Sequence, residues 1–356
     1  MKKKQSPSMN ILKSNLILEK KEQKIKFQSD LLGWYDQHKR TLPWRTSPNL
    51  YKTVVSEFML QQTRVSTVLP YFKKWIENFP DFESLAKAKE ETVLKYWEGL
   101  GYYSRARNLH KLSKVISNWD NLQTDGKAWL TLPGVGPYIS AAIVSISFGK
   151  AEAVCDGNVV RVLSRIFGIK EMFKDGATAQ KKIRPLAQKL ITEKRPGDYN
   201  QAIMELGATI CHRQNPLCTI CPVLSFCSAC KEGNPEKFPK IRQKKKSKKK
   251  VIRFWIASSS GILLQKSEKK SKRLAGIYEL PEEQENFCFL KEVLITQKKR
   301  TIGNTEYDES IFQAKIEKDI VEKGNSLQWV KWKELDNITL SGPHRKWIEE
   351  IRTISK

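Results

Sequence analysis

A chain of 356 residues, 40% of them hydrophobic, is long enough and apolar enough to fill two cores. Its 64 Lys and Arg outnumber 38 Asp and Glu, and the resulting net charge of +26 makes a polyanion the natural partner. Seven cysteines, an odd number, speak against a disulfide framework and for a reducing compartment. No run of about 18 apolar residues occurs, and none of leader length follows Lys2, Lys3 and Lys4, so neither a membrane anchor nor a secretory leader is expected.

Residues 1–27 read as a basic extension. Farther along, Thr53, Glu57, Gln61 and Arg64 share one helical face, which pattern alone assigns to solvent. Glu57 nevertheless lies among Val54, Val55, Phe58, Met59 and Leu60, surroundings that favour a protonated carboxyl. In Leu132-Pro-Gly-Val-Gly-Pro-Tyr138, Gly134 and Gly136 allow a tight turn whose bared N–H groups can hold a phosphate, although an ordinary helix–helix turn uses glycine too. Ile139 to Phe148 is apolar almost all round, as in a buried helix. Asp156 suits a helix N-cap, where the helix end favours the carboxylate. Val159, Val162, Leu163, Ile166 and Phe167 then form the stripe of an amphipathic helix, leaving Arg161 and Arg165 off it.

Cys211, Cys218, Cys221 and Cys227 follow in a Cys-x6-Cys-x2-Cys-x5-Cys run. Structural zinc usually gathers pairs from separated knuckles, whereas four thiolates in one loop suit a [4Fe–4S] cluster. Cys230 reads as a bystander. The polybasic run Lys240 to Lys250 repels itself, reads as an extended tether and marks a domain boundary. Beyond it the texture changes: Val251 to Ala257 and Gly261 to Gln265 read as a hairpin, and Ser310 to Ile316 as a further strand.

The Leu-Pro-Gly-Val-Gly turn, the aspartate some twenty residues on and the four-cysteine loop together resemble the endonuclease III superfamily of base-excision DNA glycosylases. Leu42-Pro-Trp-Arg45, Ser56-Glu-Phe-Met-Leu-Gln-Gln-Thr-Arg64, Trp97-Glu-Gly-Leu-Gly-Tyr-Tyr-Ser-Arg105 and Asp156-Gly-Asn158 narrow the resemblance to adenine DNA glycosylases of the MutY type. It implies a mainly α helix-hairpin-helix glycosylase domain over 28–238, with an iron–sulfur loop at 211–227. A polybasic linker at 239–250 and a small, divergent α+β Nudix-like recognition domain at 251–356 would follow. Leu274 to Pro281, Trp329 to Trp332 and Pro343 to Lys346 look like pieces of that last domain.

Hydrolysing a purine N-glycosidic bond needs a proton for the departing base and negative charge beside the sugar cation, and two carboxyl groups in different environments can divide that work. The resemblance gives Glu57 the acid's role and Asp156 the stabiliser's, with Tyr138 and Asn158 in support. Trp44, Arg45, Leu60, Gln201 and Met204 would line the adenine pocket, while Gln62, Thr63, Leu100 and Tyr102 would meet the opened duplex together with Gly134 and Gly136. Tyr138 stands where bifunctional relatives carry the lysine that forms a Schiff base, so a monofunctional hydrolase is expected.

The expected partner is double-stranded DNA bearing adenine opposite 8-oxoguanine or guanine. The expected state is a monomer, cytoplasmic and nucleoid-associated in a bacterium, with a nuclear location also compatible. The family's Phe-Ser/Thr-His reader of 8-oxoguanine is missing; Thr301-Ile-Gly-Asn304 is its nearest counterpart, so a reduced preference is expected. No Nudix box is present. Two rivals are an endonuclease III-like or other mismatch-specific glycosylase/lyase and a non-catalytic iron–sulfur DNA-binding module.

Overall fold

The computed structural model describes residues 20–243, 245–268, 270–271, 274–284, 289–316 and 326–354. Residues 1–19 of the expected extension, Lys244 of the expected tether, and Cys288 lie outside them. In chain order the first helices are α1 (Lys21–His38), α2 (Pro43–Thr46), α3 (Leu50–Leu60), α4 (Val65–Asn78), α5 (Phe82–Lys87), α6 (Glu90–Trp97), α7 (Ser104–Ile116) and α8 (Gly126–Leu130). They are followed by α9 (Pro137–Phe148), α10 (Gly157–Ile166), β1 (Met172–Phe173), α11 (Gly176–Leu190), α12 (Pro196–Thr209) and α13 (Ser228–Lys231). The remainder is β2 (Lys240–Ile241), β3 (Ser247–Trp255), β4 (Gly261–Lys266), β5 (Tyr278–Glu279), β6 (Phe289–Ile302), β7 (Thr305–Ile316), β8 (Leu327–Lys331) and α14 (Gly342–Ile354).

The chain folds as two compact units, each assembled from two separate stretches. Among the described residues, the first takes those up to Gln61 and Asn118–Gln243; the second takes Gln62–Ser117 and those that follow Lys244.

In the first unit, α9 has Ile139, Ala141, Ala142, Ile143 and Val144 buried, and even its serines Ser140 and Ser145 are covered. A helix enclosed on every side gains nothing from a polar face, which is why its sequence lacks one. Phe27 and Leu31 of α1, Val159 and Leu163 of α10, Ile183 of α11 and Leu206 of α12 share the same core. Asp156, Asp175 and Asn49 each cap a helix start, accepting from the backbone N–H groups of Val159, Thr178 and Lys52.

The second unit combines α4–α7 with strands and α14. Its three-stranded sheets run β3-β7-β6 and β5-β4-β8. The hairpin expected from Val251 to Gln265 forms only at its turn, where Ala257 bridges Ile262 and Leu263 N–H donates to Ile256 O. Its arms then part: β3 runs parallel to β7, while β4 pairs antiparallel with β5 and β8. Burial explains the divergence. Phe254, Ile256 and Leu263 enter one apolar cluster, and Trp255, Ile262 and Leu264 enter another, so both faces of each arm are buried.

The lysine run is likewise more than a tether, because Ser247–Lys250 open β3 and pair with Thr305–Asp308 while remaining exposed. Thr301 to Asn304 closes β6 onto β7, with Ile302 paired to Thr305 and Gly303 left-handed at φ 61°. Among the described residues, no helix is long and apolar enough to cross a membrane.

Candidate active site and cysteine loop

Glu57 sits in the last two turns of α3 and is only 6% exposed. The polar face shared with Thr53 is therefore turned inward, contrary to the solvated reading of its pattern. Burial pushes the Glu57 carboxyl up to about 7, Asp156 adds to the rise, and Tyr138 and Arg45 oppose it. Tyr138, at the start of α9, donates its hydroxyl to Glu57 Oε2 at 2.7 Å and lies 3.4 Å from Met204 Sδ. Burial, then the charges of Glu57 and Asp156, hold the Tyr138 hydroxyl well above its ordinary range, so it remains a donor.

Asp156 caps α10 from outside the helix. Its Oδ1 accepts from Val159 N–H at 2.8 Å and its Oδ2 from Asn158 Nδ2 at 2.9 Å. Desolvation still prevails and raises the carboxyl, with those hydrogen bonds pulling it back. The helix end thus stabilises the carboxylate as expected, but does not offset its burial. Asn158 is held in turn by Arg161, whose Nη2 reaches Asn158 Oδ1 at 2.9 Å and Gly207 O at 2.7 Å. Gly207 permits this approach: a Cβ there would stand 2.6 Å from that of Asn158.

A second layer was not visible in local sequence. Glu205 of α12, fully buried, accepts from Arg40 Nε at 2.6 Å and Arg45 Nη2 at 3.0 Å. Burial alone would raise its carboxyl, yet the two guanidinium groups hold it below the usual range. Arg45 also donates Nε to Gln201 Oε1 at 3.0 Å and lies over the Tyr35 ring at 5.6 Å. Arg45, Gln201, Met204, Tyr138 and Glu57 are therefore one connected patch. Trp44 is buried beside Arg45, and half-buried Leu60 lies one turn beyond Glu57. The one clue to Glu205 was the pair of arginines flanking Leu-Pro-Trp, which needed an acceptor.

Cys211 follows the end of α12, its N–H donating to Leu206 O, while Cys218, Cys221 and Cys227 lie on or beside two short 3-10 turns, Cys218–Ile220 and Leu224–Phe226. Burial pushes the thiols of Cys221 and Cys218 up to about 12 and about 11, and proximity of the other thiols adds to both. Cys230, read as a bystander, lies near enough to Cys218 to raise its thiol further. Arg165, 1% exposed, holds the loop by donating to Cys211 Sγ at 3.2 Å, His212 O at 2.7 Å, Arg213 O at 3.0 Å and Phe238 O at 3.2 Å. Arg161 adds Cys211 O at 2.7 Å. The two arginines off the apolar stripe of α10 thus carry the cysteine loop. Among the described residues, no three His, Cys, Asp or Glu groups are placed to enclose a single metal ion.

Gly134 is left-handed at φ 77° and Gly136 extended at φ −95° in the turn between α8 and α9, where Pro137 opens the helix. Gln62, Thr63, Leu100 and Tyr102 belong to the second unit. Gln62 and Tyr102 have positive φ, 56° and 48°, which non-glycine residues rarely adopt. Tyr102 is 49% exposed, whereas Leu100 is buried.

Residues 55–193 match the HhH-GPD superfamily of base excision DNA repair proteins. The chain is 46% identical over 214 residues to adenine DNA glycosylase of Homo sapiens, covering 57% of this chain and 39% of that protein. It is 39% identical over 250 residues to adenine DNA glycosylase of Buchnera aphidicola subsp. Schizaphis graminum, covering 66% and 71%. The chain therefore spans about two-fifths of the human relative's length. Among solved structures, a thermostable thymine-DNA glycosylase is 29% identical with a TM-score of 0.52, covering 59% of this chain and 97% of that one. A non-covalent endonuclease III–DNA complex has a TM-score of 0.50 over 60% of this chain and 98% of that one, and at 20% identity it speaks for the fold alone.

Proposed function

Because the chain belongs to the adenine DNA glycosylase family, we propose that it binds duplex DNA and hydrolyses the N-glycosidic bond of adenine mispaired with 8-oxoguanine or guanine. The observation that carries this reading is the buried Glu57, raised to about 7 and oriented by the Tyr138 hydroxyl at 2.7 Å. A carboxyl so tuned holds a proton near neutral pH and can give it up to a leaving base. As the C1′–N bond breaks, its electron pair goes to the base with the Glu57 proton, leaving positive charge on the sugar. Asp156, whose charge Glu57 senses, offers the anion that offsets it. Water then adds to C1′ and returns a proton to the Glu57 carboxylate.

Arg45, held by Glu205, and Gln201, held in turn by Arg45, supply donors and an acceptor for the edge of an adenine taken out of the stack. Tyr138, kept as a phenol by burial, has no amine to attack the sugar, which favours hydrolysis without strand cleavage.

The cysteine loop supports a [4Fe–4S] cluster on Cys211, Cys218, Cys221 and Cys227. Neighbouring thiols that raise one another's pKa resist ionising together, and a cationic iron–sulfur core offsets that repulsion. Bound there, the cluster would tie the two short turns into one rigid lobe. Arg213, Lys231 and Lys237 are the lobe's candidates for phosphate contact.

Single-turnover assays on duplexes with adenine opposite 8-oxoguanine, guanine, cytosine or thymine test the reading. Release of free adenine opposite the first two, leaving an intact abasic strand and no borohydride-trapped adduct, is expected. Absence of adenine release on all four would overturn it.

A further inference from the structure

Tyr102 stands on the six-residue connection between α6 and α7, and the second unit grips that connection from its C-terminal part. Glu98, at the start of the connection, accepts from Arg345 Nε at 2.5 Å and Nη2 at 3.3 Å, and from Leu340 N–H at 3.1 Å. Both side chains of the ion pair are largely buried, 10% and 13% exposed. Lys95 joins it, reaching Glu98 Oε2 at 3.2 Å and Ile338 O at 3.1 Å.

At the other end, buried Tyr103 donates its hydroxyl to Leu340 O at 2.9 Å. The backbones nearly touch as well, since a Cβ on Gly342 would stand 3.2 Å from Gly99 Cα. Between these anchors, Arg105 donates to Leu100 O at 3.1 Å and Gly101 O at 3.0 Å and stacks between the rings of Trp97 and Tyr102, at 5.2 and 5.6 Å. Tyr102 is thus held exposed, in a left-handed conformation that the chain would leave if its flanks were free.

We infer that residues 338–345 are the seat of the Tyr102 loop, with Arg345, Glu98 and Tyr103 as positioning residues. The C-terminal part therefore acts on the DNA-facing surface through this loop, in addition to any contact of its own. A helix–strand assembly that fixes a strained aromatic before DNA arrives spares the complex the ordering of that side chain. The inference rests on the glycosylase reading only for what Tyr102 does to DNA; the seat itself is tested without catalysis.

The experiment is amide hydrogen exchange on the full-length protein without DNA, comparing Arg345→Ala, Arg345→Lys and Tyr103→Phe with the parent. Exchange at residues 98–105 should quicken about tenfold or more in Arg345→Ala, since a largely buried carboxylate loses its guanidinium partner and keeps only Lys95 and Leu340 N–H. Arg345→Lys should recover part of the protection, and α9–α12 should be unchanged throughout. If Arg345→Ala does not fold, Tyr103→Phe, which removes one hydroxyl, should shift the same amides in the same direction. Unaltered exchange at 98–105 in every folded variant overturns the inference. If the loop loosens in a protein whose parent releases no adenine, the seat stands and the glycosylase reading falls.

Discussion

A carboxyl raised from about 4.5 to about 7 by burial binds a proton more tightly in the folded protein than in the unfolded one. Between those values the native state holds more protons, so stability falls as pH rises from about 4.5 through about 7. The loss is on the order of 3 kcal/mol for this nearly buried group. Glu57→Gln, which cannot ionise but still accepts from Tyr138, should abolish adenine release. It should also unfold at a higher temperature than the parent at pH 8, an advantage that disappears by pH 5. A variant no more stable at pH 8 would mean that the parent's carboxyl is not raised. Tyr138→Phe deletes a donor that favours the ionised carboxylate. Its excision rate should therefore start to decline at a higher pH than the parent's, which a single-turnover pH profile can read.

At the scale of elements, the turn between α8 and α9 depends on one glycine for conformation and on the other only for access. Gly134 is left-handed and Gly136 is not, with open space where a Cβ would stand on the latter. Gly134→Ala should cost about 1–2 kcal/mol in thermal unfolding. Gly136→Ala should melt like the parent and, if the turn holds a phosphate, bind duplex more weakly.

The cysteine loop makes a different prediction. Purified anoxically, the parent should contain about four irons per chain, and Cys221→Ser and Cys227→Ser should lose them. Cys230, near enough to Cys218 to raise its thiol, offers Cys218→Ser a replacement thiol. That variant should retain iron which the double variant with Cys230→Ser lacks; equal iron in the two would show that Cys230 takes no part. The spacing of the cysteines was legible because loop ligands are local. The proximity of Cys230 to Cys218, twelve positions apart in sequence, was not, because it depends on how the loop packs.

For the whole molecule, the change in sequence texture at the lysine run marks one of the three boundaries between the two units, at Gln243, and not the other two. Residues 62–117 join the C-terminal part, and the Glu98–Arg345 pair shows what such a union provides. Deleting residues 251–356 should consequently lower single-turnover excision opposite guanine and 8-oxoguanine alike, since it removes the seat of Tyr102 along with any reader of the opposite base. A truncated enzyme that loses only its 8-oxoguanine preference would show that the loop stands unaided. The turn at Thr301 to Asn304 brings no histidine to replace the missing reader, so discrimination in the full chain should still be reduced.

The sequence by itself determined the features that depend on near neighbours: the helical periods, the cap at Asp156, the glycine turn, the cysteine spacing and the motifs that announce the family. It also placed Glu57 among apolar neighbours, enough to foresee a protonated acid. Tertiary structure alone decided that Arg161 and Arg165 face the cysteine loop, that Glu205 orders Arg40 and Arg45, and that the arms of a hairpin-like run enter different sheets. It likewise decided that a loop near residue 100 is seated on residues near 340. Each of these joins groups far apart in the chain, and a buried charge is tolerated only where a partner from elsewhere meets it. Local pattern can show that such a charge needs a partner, but only the packed chain supplies one.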